Sequence, residues 1–167
     1  MFDSSYAYKV ISRERGFPKL TDYKNAWLYF FDDKLSNRYI VRLKEFEYDV
    51  YFIKFHQRKD KNSHNKYRVE THVNDSMKII GTCLQIMLDF LEEKCEVASF
   101  GAVGVSSLDE QEEGRSQRFR IYELLFKNIF SDVDFIHADM PDSSATFIIN
   151  RKTDVEKVLS YLAQLFE

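Results

Sequence analysis

Residues 77–95, MKIIGTCLQIMLDFLEEKC, place apolar side chains at positions 77, 80, 83, 84, 87, 90 and 91, the spacing of one face of an α-helix. Polar and charged residues fill the opposite face of the same stretch. This pattern predicts the central core helix of the protein, capped at its start by Asn74, Asp75 or Ser76. We expect five of its side chains to be nearly fully buried: Ile80, Cys83, Leu84, Met87 and Leu91.

The segments before this helix have the composition of β-strands. Aromatic and β-branched residues dominate each segment, and several alternate with polar residues, as Tyr39, Val41 and Leu43 do with Arg42 and Lys44. Such alternation is typical of antiparallel strands with one buried and one solvated face. The pattern predicts an antiparallel meander of five strands: Tyr6–Ile11, Ala26–Phe31, Arg38–Phe46, Asp49–Phe55 and Lys66–Val73.

After this helix, segments with the alternation of a β-strand and segments with helical spacing follow one another. A strand–helix–strand step of this kind favours a parallel strand pair within a mixed sheet. The predicted class is therefore α+β: an antiparallel β-meander followed by helix–strand–helix–strand–strand, with an amphipathic C-terminal helix. The later elements are predicted as a strand Val97–Val103, a helix Arg115–Phe130, strands Asp134–Ala138 and Ala145–Asn150, and a last helix opened by the capping box Thr153–Glu156.

No internal repeat, low-complexity tract or linker rich in Pro, Gly or Ser divides the chain. Its 167 residues include 15 Phe, 10 Tyr and one Trp, enough apolar area for one folded core. We therefore expect a single domain over residues 1–167, made of the meander 1–73, an α/β half 74–150 and the C-terminal helix 151–167.

Charge and hydropathy argue against several functional classes. The chain has 24 basic and 27 acidic residues, so it lacks the positive excess that favours nucleic acid or anionic lipid. No apolar run approaches the roughly 18 residues of a membrane helix, and the N-terminus lacks the order of a signal peptide. Cys83 and Cys95 lie too far apart on one predicted helix to form a disulfide. We expect a cytoplasmic protein with reduced thiols and no membrane partner.

This order of elements resembles the GCN5-related N-acetyltransferase (GNAT) fold over roughly residues 26–150. In that family the strand after the central helix leads into a helix with an Asn-x-x-Ala-x-x-Leu-Tyr-x-x-x-Gly-Phe pattern. The Tyr of this pattern can act as general acid on the leaving thiolate of coenzyme A. Residues 115–126, RSQRFRIYELLF, lie in the corresponding place, and Tyr122 falls on the Tyr position. The resemblance implies acetyl-CoA as cofactor and Tyr122 as a catalytic residue. Arg115, Arg118 and Phe126 replace the Asn, Ala and Gly of the pattern.

The family's pyrophosphate loop, Arg/Gln-x-x-Gly-x-Gly/Ala, corresponds here to residues 71–79, THVNDSMKI. The resemblance implies that Asn74, Asp75 and Ser76 occupy the cofactor-binding position. Glycines at these positions would let backbone N–H groups approach a diphosphate, but this stretch contains none. Asp75 also places a negative charge where the diphosphate would lie.

Arg115, Arg118 and Tyr122 share one helix face at i, i+3 and i+7. One interpretation makes the two arginines a partner-binding site, since a guanidinium offers both a bidentate fork and a stacking plane. The other interpretation is local, because nearby acidic residues of the 105–114 loop can neutralise these cations.

The remaining polar clusters are typical of solvated loops. The histidines at 56, 64, 72 and 137 show neither helical HxxxH spacing nor pairing with cysteine, so no metal site is predicted. The acidic total argues against nucleic acid as the partner of the basic loop. That loop and its flanks contain Arg58, Lys59, Lys61, Lys66 and Arg68.

Two functional hypotheses follow. The first is a non-catalytic protein-interaction module on an acetyltransferase-like scaffold, with no cofactor and another protein as its partner. The alternative is an acyl-CoA-dependent N-acyltransferase with an atypical pyrophosphate loop. The missing glycines favour the first, whereas the order of elements and Tyr122 favour the second.

Overall fold

Seven strands form one mixed sheet and three α-helices pack on it in the computed structural model, which describes residues 5–17, 22–63, 66, 76–103 and 117–166. The predicted α+β class and the C-terminal helix are confirmed. The strands are β1 (Tyr8–Arg15), β2 (Asn25–Asp32), β3 (Arg38–Glu45), β4 (Val50–Gln57), β5 (Ser99–Val103), β6 (Phe135–Met140) and β7 (Ala145–Asn150). The helices are α1 (Ser76–Glu93), α2 (Gln117–Ile129) and α3 (Val155–Leu165).

The sheet has the strand order β1-β2-β3-β4-β5-β7-β6. Strands β1 to β4 are antiparallel neighbours, as the alternating pattern predicts. Strand β5 returns parallel to β4, from the pair Val50–Ser99 to the pair Ile53–Ala102, so the predicted parallel pair is confirmed. Apart from Lys66, the predicted strand Lys66–Val73 lies outside the described residues.

Two predicted boundaries are wrong for identifiable reasons. Strand β1 continues to Arg15 rather than ending at Ile11, because its last residues are held by backbone pairing with β2 and not by burial. Helix α3 begins one residue after Asp154, whose carboxylate accepts a hydrogen bond from the Lys157 N–H at 3.3 Å. The predicted cap Thr153 instead donates its hydroxyl to the carbonyl of Asn150 at 2.6 Å.

The face of the sheet that α1 and α2 cover, here called the first face, contains the larger core. Ile80, Cys83, Leu84 and Met87 of α1 are at most 1% exposed, as predicted, whereas Leu91 is only half-buried. Aromatic rings fill the layer between α1, α2 and the sheet, with centroids 4.7–6.4 Å apart in edge-on and tilted pairs. These rings are Tyr51, Phe90, Phe100 and Phe130.

The opposite or second face is covered by α3 over part of its width. Phe52 and Phe147 pack there against Val158 and Leu162 of α3. Gly101 makes room for the two rings, since a Cβ at this position would lie 2.8 Å from Phe147 Cδ1 and 2.9 Å from Phe52 Cε1. Among the described residues, none of the helices has the length and apolar character needed to cross a bilayer.

Candidate functional site

Three of the six predicted site residues lie in the part of the chain that the structure describes. Ser76 is the first residue of α1, and Arg118 and Tyr122 lie one turn apart on α2. The other three lie outside the described residues: Asn74, Asp75 and Arg115.

The described pairing of β4 with β5 ends near the carboxyl ends of both strands. Their pairing stops at Ile53 and Ala102, although β4 continues to Gln57 along β3 and β5 continues to Val103 along β7. We call this place the fork, defined by residues 54–57 of β4 and Val103 of β5.

Arg118 of α2 lies over the fork on the first face. Its guanidinium carbon is 4.7 Å from the centre of the Phe55 ring, a cation–π distance. The ring belongs to a row of aromatic side chains in which Phe31 stacks on Tyr39 at 5.1 Å and Tyr39 lies 6.2 Å from Phe55. The fork therefore has an aromatic floor beneath a half-buried cation.

Electrostatic effects on neighbouring groups show where the charge of Arg118 acts. Burial raises the pKa of the Cys83 thiol to about 12, and the guanidinium of Arg118 acts against that increase. Burial also raises the pKa of the Tyr39 hydroxyl, and the nearby Asp33 adds to the rise while Arg118 opposes it. Both groups therefore lie within electrostatic reach of the Arg118 guanidinium.

Tyr122 lies inside the first-face core. Its side chain is 2% exposed, and its ring packs 6.0 Å from that of Phe126. Burial, followed by the neighbouring Cys83, raises the pKa of its hydroxyl well above the usual value. The phenol is therefore a neutral, weakly acidic group in a position enclosed by apolar side chains.

No family model, no curated protein and no solved structure matches this chain. The chemistry that the fork can support is therefore inferred from its own side chains. The described residues contain no group of three or more His, Cys, Asp or Glu side chains that could hold a metal ion.

A basic hollow of about 440 Å³ adjoins the fork. Gln57, the last residue of β4, lines it together with Arg38, Arg58, Lys59 and Lys61. Arg38 is engaged in a bidentate pair with Asp32, at 2.9 and 3.0 Å, which leaves the three later cations as the main source of positive potential. The predicted basic loop thus follows directly on β4, the strand that contains Phe55.

Lys66 does not belong to this hollow, although sequence proximity groups it with the basic loop. It faces Arg42 and Glu14 on the second face, and burial together with Arg42 lowers its pKa. Arg68, the other flanking cation of that loop, lies outside the described residues.

A second concavity, an open groove of about 1130 Å³, lies at the opposite end of the sheet. Its charges are mixed, and Lys24 is paired across it with Glu47 at 3.1 Å. Sequence reasoning missed this groove, because its lining residues come from distant segments and share no motif. They include Arg13, Arg15, Phe17, Tyr23, Lys24 and Tyr161.

Sequence reasoning also missed Phe55 as a site residue. The available signal was the alternation of β4, which places Phe55 on the same face as Tyr51 and Ile53. That signal predicts burial, but it does not predict which residue of α2 lies above the ring.

Proposed function

We propose that the chain is a non-catalytic protein-interaction module on an acetyltransferase-like scaffold, and that the fork and Arg118 bind an acidic segment of a partner protein. The observation that carries the proposal is the burial of Tyr122, the residue that the family resemblance implies as general acid. At 2% exposure its side chain is enclosed in the core rather than open to solvent.

A general acid must come within hydrogen-bond distance of the leaving group and must have a pKa near the working pH. Tyr122 lies in the core beside Cys83, and burial moves the pKa of its hydroxyl further from neutrality. Both properties support a structural role for this side chain.

Arg118 has the properties of a recognition residue. Its side chain is half-buried and its guanidinium stacks on Phe55, an arrangement that fixes the orientation of its hydrogen-bond donors. Arginines held in this way are frequent anchors in protein interfaces. The adjacent cations Arg58, Lys59 and Lys61 extend the positive potential, so carboxylate-rich segments are the complementary partners.

An acyl-CoA-dependent N-acyltransferase with an atypical pyrophosphate loop is the second candidate. The observation in its favour is the fork itself, where the described pairing of β4 with β5 ends after four pairs. In the family that the chain resembles, acetyl-CoA would be the cofactor of such a site.

The partner hypothesis is tested with a fluorescein-labelled, glutamate-rich peptide and fluorescence anisotropy. We expect the parent to bind and Arg118→Ala to lose most of the binding, while the free energy of unfolding changes by about 0–1 kcal/mol. Arg120→Ala is the matched control, because Arg120 lies on the exposed side of the same helix. Equal affinities for the parent and Arg118→Ala would overturn the assignment.

The catalytic candidate is tested by calorimetric titration with acetyl-CoA. The interaction-module proposal predicts weak or no binding. Binding in the low micromolar range, with acyl transfer to an amine that is lost in Tyr122→Phe, would replace the proposal by the acyltransferase. Tyr122→Phe preserves the buried ring, so an unchanged melting temperature separates loss of chemistry from loss of structure.

A further inference from the structure

Strand β1 forms one edge of the sheet and is unusually open to solvent. It pairs with β2 along its length, and within the described residues no strand pairs with its outer edge. Five consecutive residues, from Lys9 to Arg13, are exposed, including two large apolar side chains, Val10 at 64% and Ile11 at 48%. An eight-residue edge that meets no further strand among the described residues, and that exposes apolar side chains, is a template for another strand.

A β-bulge between Val10 and Ser12 changes which residues of β1 share a face. Lys9 lies opposite Phe30 of β2, and Glu14 lies opposite Ala26. Because the positions of Phe30 and Ala26 on β2 differ by an even number, Lys9 and Glu14 project from the same face of the sheet. In a regular strand, two residues at the spacing of Lys9 and Glu14 would project from opposite faces.

The same argument applies to the other face. Val10 lies opposite Tyr29 and Arg13 lies opposite Trp27, so Val10 and Arg13 also share a face. The guanidinium carbon of Arg13 is 5.3 Å from the centre of the Trp27 ring, which holds its charge over that ring.

These placements make β1 complementary to itself. Two antiparallel copies related by a two-fold axis perpendicular to the sheet can be set so that the same-face residues oppose one another. Each of the two Lys9 side chains then faces a Glu14 carboxylate, and each Val10 faces the aliphatic stem of Arg13. Opposite charges in directly opposed positions stabilise a strand pair, whereas like charges destabilise it. The opposed pairs are Tyr8 with Arg15, Lys9 with Glu14, Val10 with Arg13, and Ile11 with Ser12.

Glu14 is already oriented for this role. Its carboxylate accepts a hydrogen bond from the Tyr23 hydroxyl at 3.3 Å and lies 3.8 Å from Arg42. These contacts limit the conformations of the side chain and lower the entropy lost when a second chain binds.

We propose that two copies of this chain associate through β1, so that their sheets join into one continuous antiparallel sheet across a two-fold axis. The contact is isologous, because each strand contributes the same residues to both halves. This inference does not depend on the proposed function, since the fork lies between β4 and β5 and remains open in such a dimer.

The test uses sedimentation velocity over a series of protein concentrations, with a charge-reversal cycle. The parent is expected to form a dimer. Lys9→Glu and Glu14→Lys each place like charges opposite one another at two symmetry-related positions, and each should weaken the dimer about tenfold or more. The double variant Lys9→Glu/Glu14→Lys restores opposite charges in every pair and should regain most of the parent's affinity.

Because Glu14 contacts Tyr23 and Arg42, the melting temperature of every variant is measured in parallel. Val10→Lys provides an independent variant that leaves these contacts intact and should also dissociate the dimer. Val133→Lys is the matched control, since Val133 is 82% exposed and far from β1 in sequence, and it should leave the dimer unchanged.

Three results would overturn the proposal. The parent sediments as a monomer at every concentration up to its solubility limit. A dimer persists unaltered in both single charge-reversal variants, which would place the interface elsewhere. Val133→Lys dissociates the dimer as effectively as Val10→Lys, which would indicate an unspecific apolar contact.

Discussion

The two faces of the sheet differ in how much apolar surface the helices cover. On the first face, α1 and α2 cover a continuous apolar layer in which residues such as Val41 and Leu43 have no exposure. On the second face, α3 covers a smaller cluster around Phe52 and Phe147. A single strand such as β3 therefore contributes its odd-numbered residues to a dry core and its even-numbered residues to a polar surface.

Strand β3 shows the contrast most clearly. Arg42 and Lys44, which alternate with its buried residues, project from the second face, and Arg42 lies directly opposite Lys54 of β4. Burial, followed by the charge of Lys54, lowers the pKa of Lys44. Glu14 and Asp22 lie 3.8 and 3.7 Å from Arg42 and Lys44, respectively, and offset part of this repulsion. Stability is thus concentrated on the first face.

The largest expected effect comes from the centre of the first face. Leu84 on α1 has no exposed surface, so Leu84→Ala leaves a cavity that cannot collapse and should cost about 2–5 kcal/mol of unfolding free energy. Leu162→Ala, on α3 and the second face, should cost less, because the helix can move toward the gap. Urea unfolding of both variants measures the difference. Equal losses of unfolding free energy would show that the two faces contribute equally to stability.

Leu91 is the matched control on the same helix. It is half-buried, so Leu91→Ala should cost less than half as much as Leu84→Ala. If the two variants are equally destabilised, the packing assigned to α1 is wrong.

A second prediction concerns close packing on the second face. Gly101→Ala places a methyl group 2.8 Å from the Phe147 ring and 2.9 Å from the Phe52 ring, and should cost about 1–3 kcal/mol. The double variant Gly101→Ala/Phe147→Leu should lose less stability than the sum of the two single variants, because the smaller side chain relieves the clash. Strict additivity in denaturant unfolding would show that the rings move aside freely.

The third prediction uses the charge of the second face. His56 is 3% exposed, and burial, followed by the charges of Lys66 and Arg42, lowers its pKa from 6.5 to about 4. Between these values the unfolded chain binds a proton that the folded chain does not. The contribution of His56 to stability is therefore complete above pH 6.5 and decreases as the pH falls toward 4, by about 2 kcal/mol between pH 7 and pH 5.

Denaturant unfolding of the parent and His56→Gln at pH 7 and pH 5 isolates this effect, because the titration of carboxylates is common to both proteins. The loss of stability on acidification should be smaller in His56→Gln than in the parent. Identical losses would mean that His56 is not held neutral by its surroundings.

Sequence patterns predicted the elements that are stabilised by burial. The alternation in β3 and the helical spacing of α1 report directly on side chains that leave water, so their faces follow from the sequence. The end of β1 did not follow, because Arg13, Glu14 and Arg15 are held by backbone pairing at an edge. Helical spacing also did not predict the exposure of Leu91, which is half-buried although the adjacent Phe90 is 3% exposed.

The candidate site was less predictable than the fold. Spacing on α2 placed Arg118 and Tyr122 on one side of the helix, but their different roles depend on what lies opposite. Arg118 meets Phe55, which is distant in sequence, whereas Tyr122 meets Cys83 inside the core. These contacts depend on how α2 crosses the sheet. No local sequence pattern predicts that crossing.

The position of β7 between β5 and β6 determines when the protein can complete its sheet during synthesis. Strands β1 to β4 pair with sequence neighbours and can form as soon as they leave the ribosome, whereas β5 lacks a full set of partners until Asn150 has been made. At a synthesis rate of roughly 5–20 residues per second, roughly 5–20 s pass between the synthesis of β4 and that of β7. The apolar side of the meander lacks its remaining partners during this time. We expect the nascent chain to expose apolar surface during that interval, which favours aggregation.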